Sequence, residues 1–171
     1  NPGQRDKFFY LNRCVIIYLH INKMELEKII IASDHAGFRL KEKILKWLNS
    51  NRYEVKDIGC YSEESVDYPD YGHLVANGVE SGEYTFGITI CGSGNGINMT
   101  ANKHQGIRSA LCWNEEISRL ARAHNDANIC AMPGRFISEP EAIVIVKTFL
   151  STPFEGGRHK RRIDKIPLKL Y

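Results

Sequence analysis

No two cysteines of this sequence are spaced C-x-x-C, and nothing in it has the spacing of a zinc site. The five that occur, Cys14, Cys60, Cys91, Cys112 and Cys130, are odd in number and mostly fall in apolar, strand-like runs. That usage fits a reducing compartment. Long apolar runs are also missing. The longest near the N-terminus, Cys14 to Leu19, is far too short to span a bilayer, and no small-residue cleavage site follows it. A soluble cytoplasmic protein with no membrane partner is therefore expected. There is no internal repeat and no low-complexity tract. Neither an aromatic-rich RNA motif nor a basic recognition helix is present, so nucleic acid is not an expected partner.

What is there is enough for one well-cored domain: 171 residues, 43% of them hydrophobic. The net charge of +3 is unevenly spread. From Ser151 onward six Lys or Arg face only Glu155 and Asp164, so this tail carries +4 and the remainder −1. A basic end of this kind suits a small phosphorylated ligand at least as well as nucleic acid. Residues 1–23 read as an appendage, with a single domain from Met24 to Tyr171; as an organelle address they match poorly, because serine is absent.

Along the chain, short β-rich runs alternate with helical patterns. Lys28 to Ala32 is the first strand, followed by Ser33-Asp34-His35-Ala36-Gly37 and a helix from Phe38 to Asn49 with Leu40, Ile44, Leu45 and Leu48 on one face. Tyr53 to Ile58 is the second strand. Asp67-Tyr68-Pro69 opens a helix that Ser81-Gly82 closes. Phe86 to Ile90 is a third strand, and a short helix over Ile97 to Asn102 follows its glycine loop. Ile107 to Cys112 is the fourth strand, and Asn114 caps a helix carrying Ile117, Leu120 and Ala121 inward to His124-Asn125-Asp126. Asn128 to Met132 is the fifth, with Pro133-Gly134-Arg135 at its end, and a helix over Pro140 to Leu150 has Ile143, Val144, Val146, Phe149 and Leu150 as its apolar face. Five strands alternating with helices predict an α/β fold with a parallel sheet and helices on both faces.

Chemistry concentrates in Thr85 to Asn102. A buried strand delivers Cys91 to its carboxyl end, and Gly92-Ser93-Gly94-Asn95-Gly96 leads into a helix. Backbone N–H groups of Ser93 to Ile97 then converge on one spot, an anion site by geometry and by the helix dipole. A thiol at its rim is a nucleophile or a proton-abstracting base; a cysteine ending a strand is also, commonly, a small buried hydrophobe. The loop is not a dinucleotide fingerprint, because its third glycine falls one position early with Ile97 where that fingerprint wants it, and no Walker lysine follows. Asp34 and His35 end the first strand and Arg135 follows the fifth, so these groups share the carboxyl edge of a parallel sheet, where ligands bind. Each also has a plainer reading. Ser33 or Asp34 can cap a helix, Tyr68 can stack in the core, and His124 can complement a helix dipole. The Arg158 to Arg162 cluster can be a solvated tail.

Taken together, Ser33-Asp34-His35-Ala36-Gly37, Asp67-Tyr68-Pro69, Cys91-Gly92-Ser93-Gly94-Asn95-Gly96, Ala101-Asn102-Lys103, Gly106-Ile107-Arg108, His124-Asn125-Asp126-Ala127-Asn128, Gly134-Arg135 and Glu155-Gly156-Gly157-Arg158-His159-x-x-Arg162 resemble the type B ribose-5-phosphate isomerases, which are grouped with the galactose-6-phosphate isomerase subunits. The resemblance runs from about Lys28 to Ile166. It implies a Rossmann-like three-layer α/β/α sandwich that binds no nucleotide, needs no metal or other cofactor, and works on a small sugar phosphate. It also implies homodimers or dimers of dimers, with each active site shared between two subunits. Ribose 5-phosphate and ribulose 5-phosphate would be interconverted through an enediolate. By the same resemblance Cys91 is the base that takes the C2 proton, Ser93 moves protons between the oxygens, and N–H groups of Gly94, Asn95 and Gly96, beside Gly92, hold the enediolate oxygen. Asp34 and His124 assist ring opening, with His124 and Asn125 from the partner subunit; His35, Arg135, Arg158 and Arg162 grip the phosphate, and Tyr68 lines the sugar pocket. A second branch of the family lacks the cysteine and has a glutamate where this chain has Ile97, so the chain is of the cysteine type. Other expectations are a hexose 6-phosphate isomerase, acting on allose or galactose 6-phosphate, and a non-catalytic phosphosugar-binding module.

Overall fold

The computed structural model describes residues 27–168. The proposed appendage over residues 1–23 and Cys14 lie outside the described residues. Five strands, β1 (Lys28–Ser33), β2 (Glu54–Asp57), β3 (Phe86–Cys91), β4 (Ser109–Leu111) and β5 (Ile129–Pro133), pair in parallel in the order β2-β1-β3-β5-β4. Six helices connect or follow them: α1 (Phe38–Ser50), α2 (Tyr68–Glu80), α3 (Asn95–Ala101), α4 (Glu115–Asn125), α5 (Glu139–Ser151) and α6 (Arg158–Ile163).

Side chains alternate across a strand, and both faces of this sheet are covered. Ile29, Ile31, Phe86, Ile88, Ile90, Cys130 and Met132 face α1, α4 and α5, whose Leu40, Ile44, Leu48, Ala121, Ile145, Val146 and Phe149 complete the larger core. Phe86 and Phe149 meet edge to face at 5.7 Å between centroids. Ile30, Ala32 and Ile129 face the opposite way, onto Val75, Ala76 and Val79 of α2 and Ala101 of α3. The expected three-layer α/β/α architecture is therefore present.

The element boundaries differ from expectation where capping and packing act. α3 starts at Asn95, two residues early, because Gly94 at φ +75° turns the chain into the helix at once. β4 is shorter than the run Ile107 to Cys112, since among the described residues only β5 pairs with it. Asn114 caps α4 through its side chain as expected, accepting from the N–H of Ile117 at 2.9 Å. The inward face of α4 is Ser118, Ala121, Arg122 and Ala123, whereas Ile117 and Leu120 are only half-buried. On α5, Val144 is 41% exposed and Ile145 is buried in its place. The basic tail is not simply solvated: it forms α6, which buries His159 and Ile163.

Candidate active site

Strand order alone makes a crevice. The chain leaves β1 for β2 on one side and returns to place β3 on the other, so the loops after β1 and β3 diverge from a switch point. Three loops are tied together there. The N–H of Asp34 donates to Ile90 O at 3.0 Å, that of Gly134 to Cys91 O at 2.9 Å, and that of Arg135 to Gly92 O at 3.1 Å. Asp34, His35, Cys91, the glycine loop and Arg135 are thus brought to one edge, as their positions after β1, β3 and β5 predict.

Cys91 ends β3 level with Pro133 of β5 and is 4% exposed. Its loop is built for close approach. A side chain on Gly94 would meet Leu111 Cδ1 at 2.5 Å and the Met132 carbonyl carbon at 2.9 Å, and its φ of +75° is one that L residues rarely adopt. At Gly96 a Cβ would lie 2.5 Å from Tyr68 Cζ, so the Tyr68 ring rests on the loop itself and is 39% exposed. The Gly94 N–H turns back to Cys91 O at 3.3 Å, and that of Asn95 to Ser93 Oγ at 3.3 Å. Those of Ser93, Gly96 and Ile97 have no partner among the described residues, so the donor set is narrower than five successive groups. Ile97 itself is fully buried.

Asp34 is 6% exposed, and its Oδ1 accepts the Gly37 N–H at 3.0 Å. This bond closes the turn before α1; no side chain caps that helix, and Asp67 makes no capping bond at α2. His35 Nδ1 lies 3.2 Å from the Val66 N and 3.3 Å from its O. The amide can only donate, so a neutral ring that accepts from it carries its own proton on Nε2.

The remaining expected residues stand elsewhere in the same chain. His124 lies at the end of α4, five residues before β5 begins, whereas Cys91 is level with the residue where β5 ends. A five-residue strand is about 13 Å long from first to last Cα, so within one chain this puts His124 and Cys91 at opposite edges of the sheet. Asn125 accompanies His124 and lines a hollow of about 360 Å³ beside β4. Arg158 and Arg162 are on α6, which docks on α4 next to the bond from the Glu155 N–H to Ala123 O at 3.0 Å.

This second cluster contains two residues that no role had been assigned to. His124 and His159 stack with parallel rings 4.1 Å apart, and the Nε2 of each lies 3.7 Å from Glu155 Oε2. His159 is almost buried; desolvation, helped by His124 and the Arg158 guanidinium, lowers its pKa from the ordinary value, against the pull of Glu155. The three ligand atoms lie within 4.8 Å of one another, but parallel rings aim their lone pairs side by side, and Arg158 Nε approaches His159 Nε2 to 3.5 Å. Both features oppose a bound cation. Glu155 precedes α6 and reaches His159 across the turn at Gly156 and Gly157, both at positive φ, so no helical periodicity in the sequence signals the pair.

The chain matches the Ribose/Galactose Isomerase family over residues 29–166. A ribose 5-phosphate isomerase structure from Thermotoga maritima is 56% identical, with a TM-score of 0.81 over 82% of this chain and 97% of its own. Ribose-5-phosphate isomerase B from Mycoplasma genitalium, solved with bound ribulose-5-phosphate, is 45% identical, with a TM-score of 0.79 over 81% of this chain and 93% of its own. Ribose-5-phosphate isomerase B of Escherichia coli is 42% identical over 141 residues, 82% of this chain and 95% of that protein. With a family match over most of its length, and a parallel sheet that gathers a thiol, a glycine loop and an aspartate at one edge, the chain belongs to the ribose/galactose isomerase family.

Proposed function

We propose that the chain is a ribose-5-phosphate isomerase, moving a proton between C2 and C1 of the open-chain pentose through an enediolate. The observation that carries this reading is the meeting of Cys91, the unpaired N–H groups of its loop and Asp34 at the β1/β3 crevice, in a chain similar to a protein solved with ribulose-5-phosphate. Cys91 Sγ takes the C2 proton, and the electron pair passes into the C1–C2 bond and onto the aldehyde oxygen. Ser93 relays the hydroxyl proton between O2 and O1, and the proton held at the thiol returns to C1 to give the ketose. Because a sugar C2 proton is far less acidic than a thiol, the rate rests on stabilising the enediolate; one lost donor in a comparable hole costs about 3–4 kcal/mol in other enzymes.

His35, Arg135, Arg158 and Arg162 hold the phosphate, Tyr68 lines the sugar pocket, and Asp34 with His124 assists ring opening. His124, Asn125, Arg158 and Arg162 stand at the far edge of their own sheet, so a second copy must supply them, and the working unit is a homodimer with two shared sites. No metal, nucleotide or nucleic acid enters the reaction, and the enzyme works in the cytoplasm.

The test is turnover of ribose 5-phosphate without added metal, with allose and galactose 6-phosphates as comparators. Pentose turnover is expected, lost in Cys91→Ala while the circular dichroism spectrum and phosphate affinity are retained. Substantial activity in that variant sinks the assigned base. A folded protein that turns over none of the three sugars sinks the isomerase reading and favours a binding module.

A further inference from the structure

Helix α1 carries a lysine on its buried face. Lys41 has no exposed surface, and its Nζ donates to Asp57 Oδ2 at 2.5 Å and to Glu42 Oε1 at 3.0 Å. The rings of Tyr61 and Phe38 flank the ammonium, their centroids 5.2 and 5.7 Å away. A buried ion pair of this kind gives little stability over an apolar pair of equal volume, so what it positions is the more informative property.

What it positions can be followed bond by bond. Asp57 is the last residue of β2, and its other oxygen, Oδ1, accepts the Gly59 N–H at 3.0 Å. Gly59 O takes the Ser33 N–H at 2.7 Å, and Ser33 O takes the Cys60 N–H at 2.8 Å, which continues the β1/β2 ladder beyond its last register pair, Ile31 with Asp57. The Tyr61 hydroxyl donates to Asp57 O at 3.2 Å, and Cys60 Sγ reaches Ser62 O at 3.3 Å. The loop that starts here comes back at Val66, whose N–H donates to His35 Nδ1. Asp57 thus holds the first turn of α1 and the base of this loop at once, and the loop holds the imidazole.

We propose that Lys41 and Asp57 are positioning residues for His35: the buried pair pins the loop from Gly59 to Val66 against α1, and the loop fixes the ring so that Nε2–H is its free donor for an anionic oxygen of the substrate. The inference rests on the reading of His35 as a phosphate ligand. Neither residue touches substrate, and their effect passes through the ring.

Lys41→Met keeps the volume of the stem and removes the ammonium; Asp57→Asn keeps the Oδ1 acceptor for Gly59. In each variant KM for ribose 5-phosphate and the dissociation constant of inorganic phosphate, measured by calorimetry, are expected to rise together by about tenfold, the scale of one hydrogen bond to a charged group, with kcat nearly unchanged. In a His35→Ala background Lys41→Met should then add nothing to either constant. Additive effects, or a lowered Tm with both constants unchanged, overturn the proposal. If Lys41→Met does not fold, Asp57→Asn and its combination with His35→Ala decide the same question. Phosphate affinity is read without turnover: a wild type that binds phosphate and does not isomerise pentose counts against the reaction and leaves this test readable. A wild type with no phosphate affinity overturns the positioning role.

Discussion

Gly94 and His159 show how much a single position can carry. At Gly94 a methyl group would press on Leu111 and on the backbone of Met132, in a left-handed conformation that already disfavours any side chain. Gly94→Ala is expected to cost about 2 kcal/mol of stability, read as a lower midpoint in urea denaturation. His159 gives a pH dependence with a definite sign. Its lowered pKa means that the folded chain keeps the ring neutral where the unfolded chain protonates it. The stability linked to it is fully present above the ordinary histidine value of about 6.5 and is lost as pH falls from there toward the folded value. Thermal scans at pH values spanning that window should show a shallower acid-side fall in Tm for His159→Gln than for wild type. An equally steep fall would assign the loss to other groups.

At the scale of elements, the strands and most helix starts were legible because their signals are local. The isoleucine-rich β1 and the β3 run Phe86 to Cys91 are buried on both faces, and they read as strands from composition alone. The start of α5 is written in four residues. Ser138 Oγ accepts the Glu141 N–H at 3.5 Å, and Glu141 Oε2 accepts the Ser138 N–H at 2.7 Å, a reciprocal cap. Ser138→Ala should cost about 1 kcal/mol, seen in denaturant unfolding with an unchanged m-value. α6 was not legible, since a six-residue helix of mainly basic residues has no periodic apolar signal of its own and owes its order to docking on α4. Lys41 was not legible. It falls three residues before Ile44 and seven before Leu48, on the apolar stripe, but a lysine there reads as a boundary of the face unless its acidic partner is known.

For the whole molecule, the decisive fact is that the expected site residues occupy two edges of one sheet. Cys91→Ala and His124→Ala, each expected to be inactive alone, are therefore expected to complement each other. If the chain forms the proposed dimer, unfolding the two variants together and refolding them as an equal mixture should make half the dimers pair unlike chains, each holding one intact site. Activity of roughly a quarter of wild type should appear if two copies share each site. No recovery, with mixed dimers demonstrated by mass, would place both residues in a site made by one chain.

The sequence by itself determined the alternation of strands and helices, the glycine loop after Cys91 and the family resemblance, because each depends on spacings within a few residues or on motifs in fixed order. Tertiary structure decided which of those motifs meet. The order β2-β1-β3-β5-β4 sets Asp34 beside the Cys91 loop and leaves His124 a strand's length away. The docking of α6 stacks His159 on His124, and the closure of β2 against α1 buries Lys41. These contacts join residues distant in the chain, and local periodicity carries no information about which distant partner a polar side chain finds.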